Sequence, residues 1–165
     1  MMKKHLLFAC LFCAATFVCG SEFLYSIEIT PETLADIDIH QSVMIKDVGN
    51  GKKAILVSTK YHTWLDLDTE KCIGNEITVT FRYKAVEKGK YPKSATTLLR
   101  YAEGDVYYKG PTGKKVVLSP ADEWKTASCM MKFPAKLEQA MIVFSTQGAD
   151  YYVTDMRVTK KRNKK

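Results

Sequence analysis

The chain is poor in the residues from which catalytic and metal centres are usually built. Of its 165 residues only three are histidine. His5 falls in an apolar leader, which leaves His40 and His62. No His-Glu-x-x-His, Cys-x-x-Cys or Gly-x-Ser-x-Gly pattern occurs, so nothing supports a zinc protease, a dithiol redox centre or a serine hydrolase. Asp36 with Asp38, and Asp66 with Asp68, have the i, i+2 spacing that puts two carboxylates on one face of a strand. Paired carboxylates hydrolyse glycosides when about 5–10 Å apart, yet pairs in polar edge segments are ordinarily solvated. The chain is therefore read as a non-enzyme. It also lacks internal repeats, low-complexity linkers and Pro-rich hinges. Helix signals are scarce: only Pro31 to Asp36 suggests a helical turn, with Thr30 as N-cap.

No apolar run reaches the length of about 20 residues that spans a bilayer. The longest, Leu6 to Val18, follows Lys3 and Lys4 and precedes Val18-Cys19-Gly20. This order reads as a secretory signal over residues 1–21. Cys19 admits a lipoprotein alternative, which the bulk of Val18 disfavours. The mature chain is expected outside the cytoplasm: secreted, periplasmic or at the cell surface, without stable membrane insertion. Cys10 and Cys13 leave with the leader, and Cys72 and Cys129 remain as an even pair in an oxidising compartment. A Cys72–Cys129 disulfide is expected, worth about 4 kcal/mol on the chain-entropy account. The alternative is two separate buried thiols.

The formal charge of +7 points to nucleic acid less than it first suggests. Lys3 and Lys4 belong to the leader, and Lys160, Lys161, Arg162, Lys164 and Lys165 crowd the end. Setting those seven aside from 25 basic residues leaves 18, equal to the 18 acidic ones. The body is neutral, and residues 160–165 read as a basic disordered tail capable of weak contact with acidic surfaces. A nucleic-acid partner would also conflict with export.

What is abundant is strand language. About 145 residues after cleavage make one domain with a substantial core, assigned to residues 22–159. Ile77 to Lys84 alternates apolar and polar over eight residues, placing Ile77, Val79, Phe81 and Tyr83 inward. Ala54 to Val57 is continuously apolar and suits a central strand. Thr97 to Tyr101, Val106 to Tyr108, Val116 to Leu118, Ala140 to Ser145 and Tyr151 to Val158 follow, separated by turn signals such as Gly49-Asn50-Gly51 and Gly148-Ala149-Asp150. The reading is all-β: a two-sheet antiparallel sandwich with jelly-roll topology.

Aromatic and planar polar residues supply the functional expectation. Sugars present flat C–H faces bordered by hydroxyls, so proteins bind them with aromatic platforms flanked by side chains that replace lost water hydrogen bonds. Tyr61, Trp64, Arg82, Arg100, Tyr101 and Tyr107 are the candidates. They are expected on one face, the sheet that carries Arg82. Trp124 is read as a core residue.

In order, Gly51 to Val57, Trp64-Leu65, Gly74 to Ala85, Glu123-Trp124-Lys125 and Tyr151 to Val158 resemble successive strands of the galactose-binding-like β-jelly-roll, and within it the cellulose- and xylan-type carbohydrate-binding modules. The resemblance runs from about Ser26 to Val158. It departs at Thr154-Asp155, where such modules often have two Asp, and at Ile77, which replaces an aromatic. It implies a non-catalytic module binding a neutral polysaccharide or glycan. The alternative is an extracellular or cell-surface structural or adhesion module that binds protein. The resemblance also implies a structural Ca²⁺, with Glu28 and Asp155 as ligands and carbonyls from the Asp47 to Lys52 loop.

Overall fold

A computed structural model describes residues 20–35, 44–60, 63–103 and 112–162. Among the described residues eleven strands form two antiparallel sheets. Sheet I has the order β3 (Ile45–Asp47), β4 (Lys53–Val57), β11 (Tyr151–Lys161), β6 (Glu76–Ala85), β9 (Lys125–Lys132). β1 (Ser21–Ile27) also joins it, pairing with the second half of β11 while β4 pairs with the first. Sheet II has the order β2 (Leu34–Ala35), β5 (Thr63–Leu67), β10 (Gln139–Gln147), β7 (Ser94–Ala102), β8 (Val116–Val117). The predicted sandwich is the observed one.

The core lies between the sheets and follows from side-chain alternation. On β6 the predicted inward set holds: Ile77, Val79 and Phe81 are fully buried and Tyr83 nearly so. They meet Leu65, Leu99, Ile142 and Phe144 from sheet II. Phe81 and Phe144 make an edge-to-face contact, with centroids 5.2 Å apart at 88°, the arrangement their quadrupoles favour. β4 is a central strand, as its apolar run predicted, flanked by β3 and β11.

Several expectations shift. Pro31–Thr33 forms a single 3₁₀ turn and the chain then enters β2, so no longer helix follows Pro31. A short α-helix lies elsewhere among the described residues: α1 (Thr69–Cys72), with Asp68 as N-cap accepting from the Lys71 backbone N–H. β1 begins at Ser21, within the predicted leader, and β11 runs to Lys161, past the predicted domain end. Lys160 and Lys161 are ion-paired with Glu22 and Glu76, at 3.4 and 3.1 Å, so the first two residues of the expected tail belong to a strand. Residues 163–165 lie outside the described residues.

The Cys72–Cys129 disulfide is not formed; both are free, buried thiols. The reason is their place along the sandwich. Phe133 N–H donates to Asn75 C=O and Gly74 N–H to Pro134 C=O, tying the end of α1 to the chain just past β9. Cys129 sits four residues back inside β9. At about 3.3 Å per residue that is roughly 13 Å of strand, against a Cα separation of about 5.5–6 Å for a disulfide. Burial pushes both thiols up to about 12, the behaviour of inert core cysteines.

Candidate functional site

The outer face of sheet II carries a second apolar cluster. The register sets Trp64 (β5), Val143 (β10) and Leu98 (β7) in one row, and Asp66, Met141 and Arg100 in the next. Gln139 and Ala102 form a third. These side chains leave the sheet away from the main core. Even so, Met141 is fully buried, and Trp64 and Val143 are exposed by only 7% and 8%. Trp64, Ala102, Met141 and Val143 pack as one group with Leu98 against them.

Planar polar groups border this floor. The Arg100 guanidinium lies over the Trp64 ring, 5.2 Å from its centroid, in a cation–π contact. Gln139 Nε2 donates to Asp66 Oδ1 at 2.5 Å. Across three rows the face therefore carries an indole, a guanidinium, a carboxylate and an amide. Asp66 and Asp68 do not form a facing carboxylate pair: β5 ends at Leu67, and Asp68 turns to cap α1. Asp36 and Asp38 lie outside the described residues.

The structure brings Trp64 and Arg100 together, as expected, and separates them from Arg82. Arg82 lies on β6 and leaves the outer face of sheet I, on the opposite side of the sandwich. The single predicted face is thus divided between two sheets. Tyr101 has the opposite parity from Arg100: it is half-buried, packs against the main core and sits 6.2 Å from the Phe133 ring. It does not share the Trp64 surface. Tyr61 and Tyr107 lie outside the described residues. Trp124 is not in the core. It stands half-buried on the outer side of sheet I, with Lys84 Nζ 5.0 Å and Arg82 Cζ 5.7 Å from its ring centroid.

Asp66, Gln139 and Met141 were not predicted. Asp66 has a signal in the sequence, since it follows Trp64 by two residues in an extended segment and must share its face. Met141 has one too: Ala140 to Phe144 is apolar without alternation, and such a strand is covered on both sides.

Glu28 and Asp155 are brought together. Both line a cleft of about 390 Å³ with Thr30, Lys52, Lys53 and Thr154. The donor set does not suit calcium, which takes six to eight oxygens. The Lys52 ammonium is bonded to Asp155 Oδ2, and Arg82 Nη1 lies 3.6 Å from the same oxygen. The carbonyls of Gly49, Lys52 and Lys53 already accept hydrogen bonds within the protein. Among the described residues no three acidic, histidine or cysteine side chains converge on a metal position.

Neither a described protein family nor a curated protein matches the sequence. Solved structures match the fold. The chain superposes with a TM-score of 0.62 and 11% identity on the CBM22-1–CBM22-2 tandem domain of Paenibacillus barcinonensis Xyn10C, covering 92% of this chain and 48% of that one. The CBM22-1–GH10 modules of Clostridium thermocellum xylanase 10B, complexed with xylohexaose, give 0.59 and 14% identity over 88% of this chain. This chain spans 29% of that protein's length. A xylan-binding CBM22 domain gives 0.56 and 12% identity, over 90% of this chain and 99% of that one. The jelly-roll of carbohydrate-binding modules is the fold of this chain.

Proposed function

We propose that the domain is a non-catalytic carbohydrate-binding module, exported from the cytoplasm, that contacts a neutral glycan through the outer face of sheet II. The observation that carries this reading is the Trp64–Arg100 stack beside the Asp66–Gln139 pair. The fold likeness to xylan-binding domains supports it. Arg100 lies over Trp64 with its Nε buried, so the indole acts as a floor that fixes the plane of the guanidinium. Vicinal sugar hydroxyls fit such a fork, and Asp66 and Gln139 supply acceptors and donors one row away. Each hydroxyl taken from water then finds a replacement partner. With Lys160 and Lys161 counted in β11, the body of the domain carries a net charge of only +2, which suits a neutral polymer better than a highly charged one. A few such contacts, less the cost of ordering, correspond to micromolar to millimolar affinity, roughly 4–8 kcal/mol.

A glycan array on the purified mature protein, followed by titration calorimetry with xylo-oligosaccharides, tests the reading. Arg100→Ala is expected to weaken binding about tenfold, and Arg82→Ala to leave it unchanged. If the folded protein binds no glycan, the sugar reading fails and an extracellular structural or adhesion module takes its place. If Arg82→Ala abolishes binding while Arg100→Ala does not, the glycan face is on sheet I.

A further inference from the structure

Asp155 occupies the point where β11 breaks register with β6, between Thr154 and Arg157. Its φ is 52°, in the left-handed region that non-glycine residues seldom enter. Such a bulge re-aims a side chain out of the ladder, and here it presents an exposed carboxylate toward two cations. The chain provides two. The Lys52 ammonium is bonded to Oδ2 and Arg82 stands behind it.

Lys52 reaches this position because of the β3–β4 hairpin. Gly49, Asn50 and Gly51 all have positive φ. Asp47 Oδ1 accepts from Gly49 N–H at 2.8 Å, and Val48 N–H donates to Lys52 C=O at 2.9 Å. The tight turn fixes the Lys52 backbone, and the Thr154 hydroxyl, donating to Lys53 C=O at 2.8 Å, ties β4 to the bulge. The neighbouring Lys53 ammonium is not an equivalent. It lies 3.9 Å from Asp47 Oδ2, on its own hairpin.

We infer that Lys52 is a built-in cation: its ammonium holds the Asp155 bulge at the position that the sequence resemblance assigned to calcium, and the domain does not use calcium for stability. An ammonium supplies one charge and three donors. Being covalently attached, it is not lost to dilution or to a chelator, whereas a bound ion stabilises only by mass action.

The test uses the purified exported protein and two measurements. The wild-type thermal midpoint is expected to agree within about 1 °C in about 5 mM EDTA and about 5 mM CaCl₂, and calorimetric titration of CaCl₂ is expected to give no saturable heat. A calcium-dependent rise of several degrees, or saturable binding, overturns the inference, and this arm does not depend on any variant folding. In EDTA, Lys52→Asn is expected to lower the midpoint by about 2–4 °C, and Lys53→Asn by less than about 1 °C. An unchanged Lys52→Asn midpoint, or equal losses in the two variants, also overturns it, because the stabilisation would then not come from the Asp155 contact.

Discussion

Trp64→Ala separates a platform exposed to ligand from a platform built into the fold. Trp64 is 7% exposed and packed against Ala102, Met141 and Val143, with Leu98 beside it. Truncating a large aromatic in such surroundings costs about 3–5 kcal/mol, from lost burial and the cavity left behind. The lost Arg100 contact adds about 0.5–1 kcal/mol. Because the cluster is small and lies on the outside of a sheet, where neighbours can relax, the lower end applies: about 3 kcal/mol. For a domain of this size each kcal/mol moves the midpoint by about 2–4 °C, so the expected fall is about 6–12 °C. Differential scanning calorimetry reads it directly, and urea unfolding checks it with the slope unchanged. Trp64→Phe should recover about half. Arg100→Ala, which removes a half-buried cation and leaves the floor intact, should shift the midpoint by less than about 3 °C. A Trp64→Ala midpoint within about 2 °C of wild type would refute the reasoning, since an indole removable at that cost is not packed as described.

Four further outcomes are expected. The Tyr151 hydroxyl is buried without a hydrogen-bond partner among the described residues, and burial raises its pKa; Tyr151→Phe should be neutral or stabilise by about 1 kcal/mol, and a urea midpoint showing clear destabilisation would reveal a partner for it. Native protein should react slowly with a thiol reagent and release two equivalents after denaturation, since Cys72 and Cys129 are free, buried and protonated. Their folded pKa values exceed the ordinary 9.0, so the stability they contribute is intact below pH 9 and lost as pH climbs toward 12, where the unfolded chain releases protons that the folded chain keeps; urea midpoints should fall between pH 8.5 and 10.5, and less so in Cys129→Ala. Asp68→Ala removes the α1 cap and the ion pair with Lys71 at 2.7 Å, and should cost about 1 kcal/mol by urea unfolding.

The sheet architecture was legible where one face of a strand is dry and the other wet. Ile77 to Lys84 shows this alternation, and β6 runs as read. Ala54 to Val57 and Tyr151 to Val158 were legible as strands for the same physical reason, that their apolar side chains fill the inter-sheet space. β9 carries a weaker pattern, because its inward residues include Ala127 and Cys129 and its outer row includes an exposed Met130. β1 went unread because Ser21 to Ile27 does not alternate between buried and exposed side chains. α1 went unread because four residues are too few for helical periodicity, although Asp68-Thr69-Glu70 is a capping sequence. The disulfide failed on distance, which cysteine counting does not contain.

The proposed binding face was only half legible, and the reason is topological. Alternation tells which side of a strand a residue leaves but not which sheet the strand joins. β5 lies in sheet II, β6 in sheet I and β7 in sheet II. Trp64, Arg82 and Arg100, spaced evenly along the chain, therefore fall on opposite exteriors of the sandwich. The sequence nonetheless holds a discriminator. The outer rows of β6 and β9 read Thr78, Thr80, Arg82, Lys84 and Thr126, Ser128, Met130, mostly polar side chains that water solvates. The β10 run Ala140-Met141-Ile142-Val143-Phe144 is apolar on both sides. In an antiparallel sandwich a central strand needs only one dry face. On the outer side of sheet II a second apolar group, with Met141 fully buried and Trp64 and Val143 nearly so, adds to the inter-sheet core. It distinguishes the outer side of sheet II, with Trp64 and Arg100, from that of sheet I, with Arg82 and Trp124.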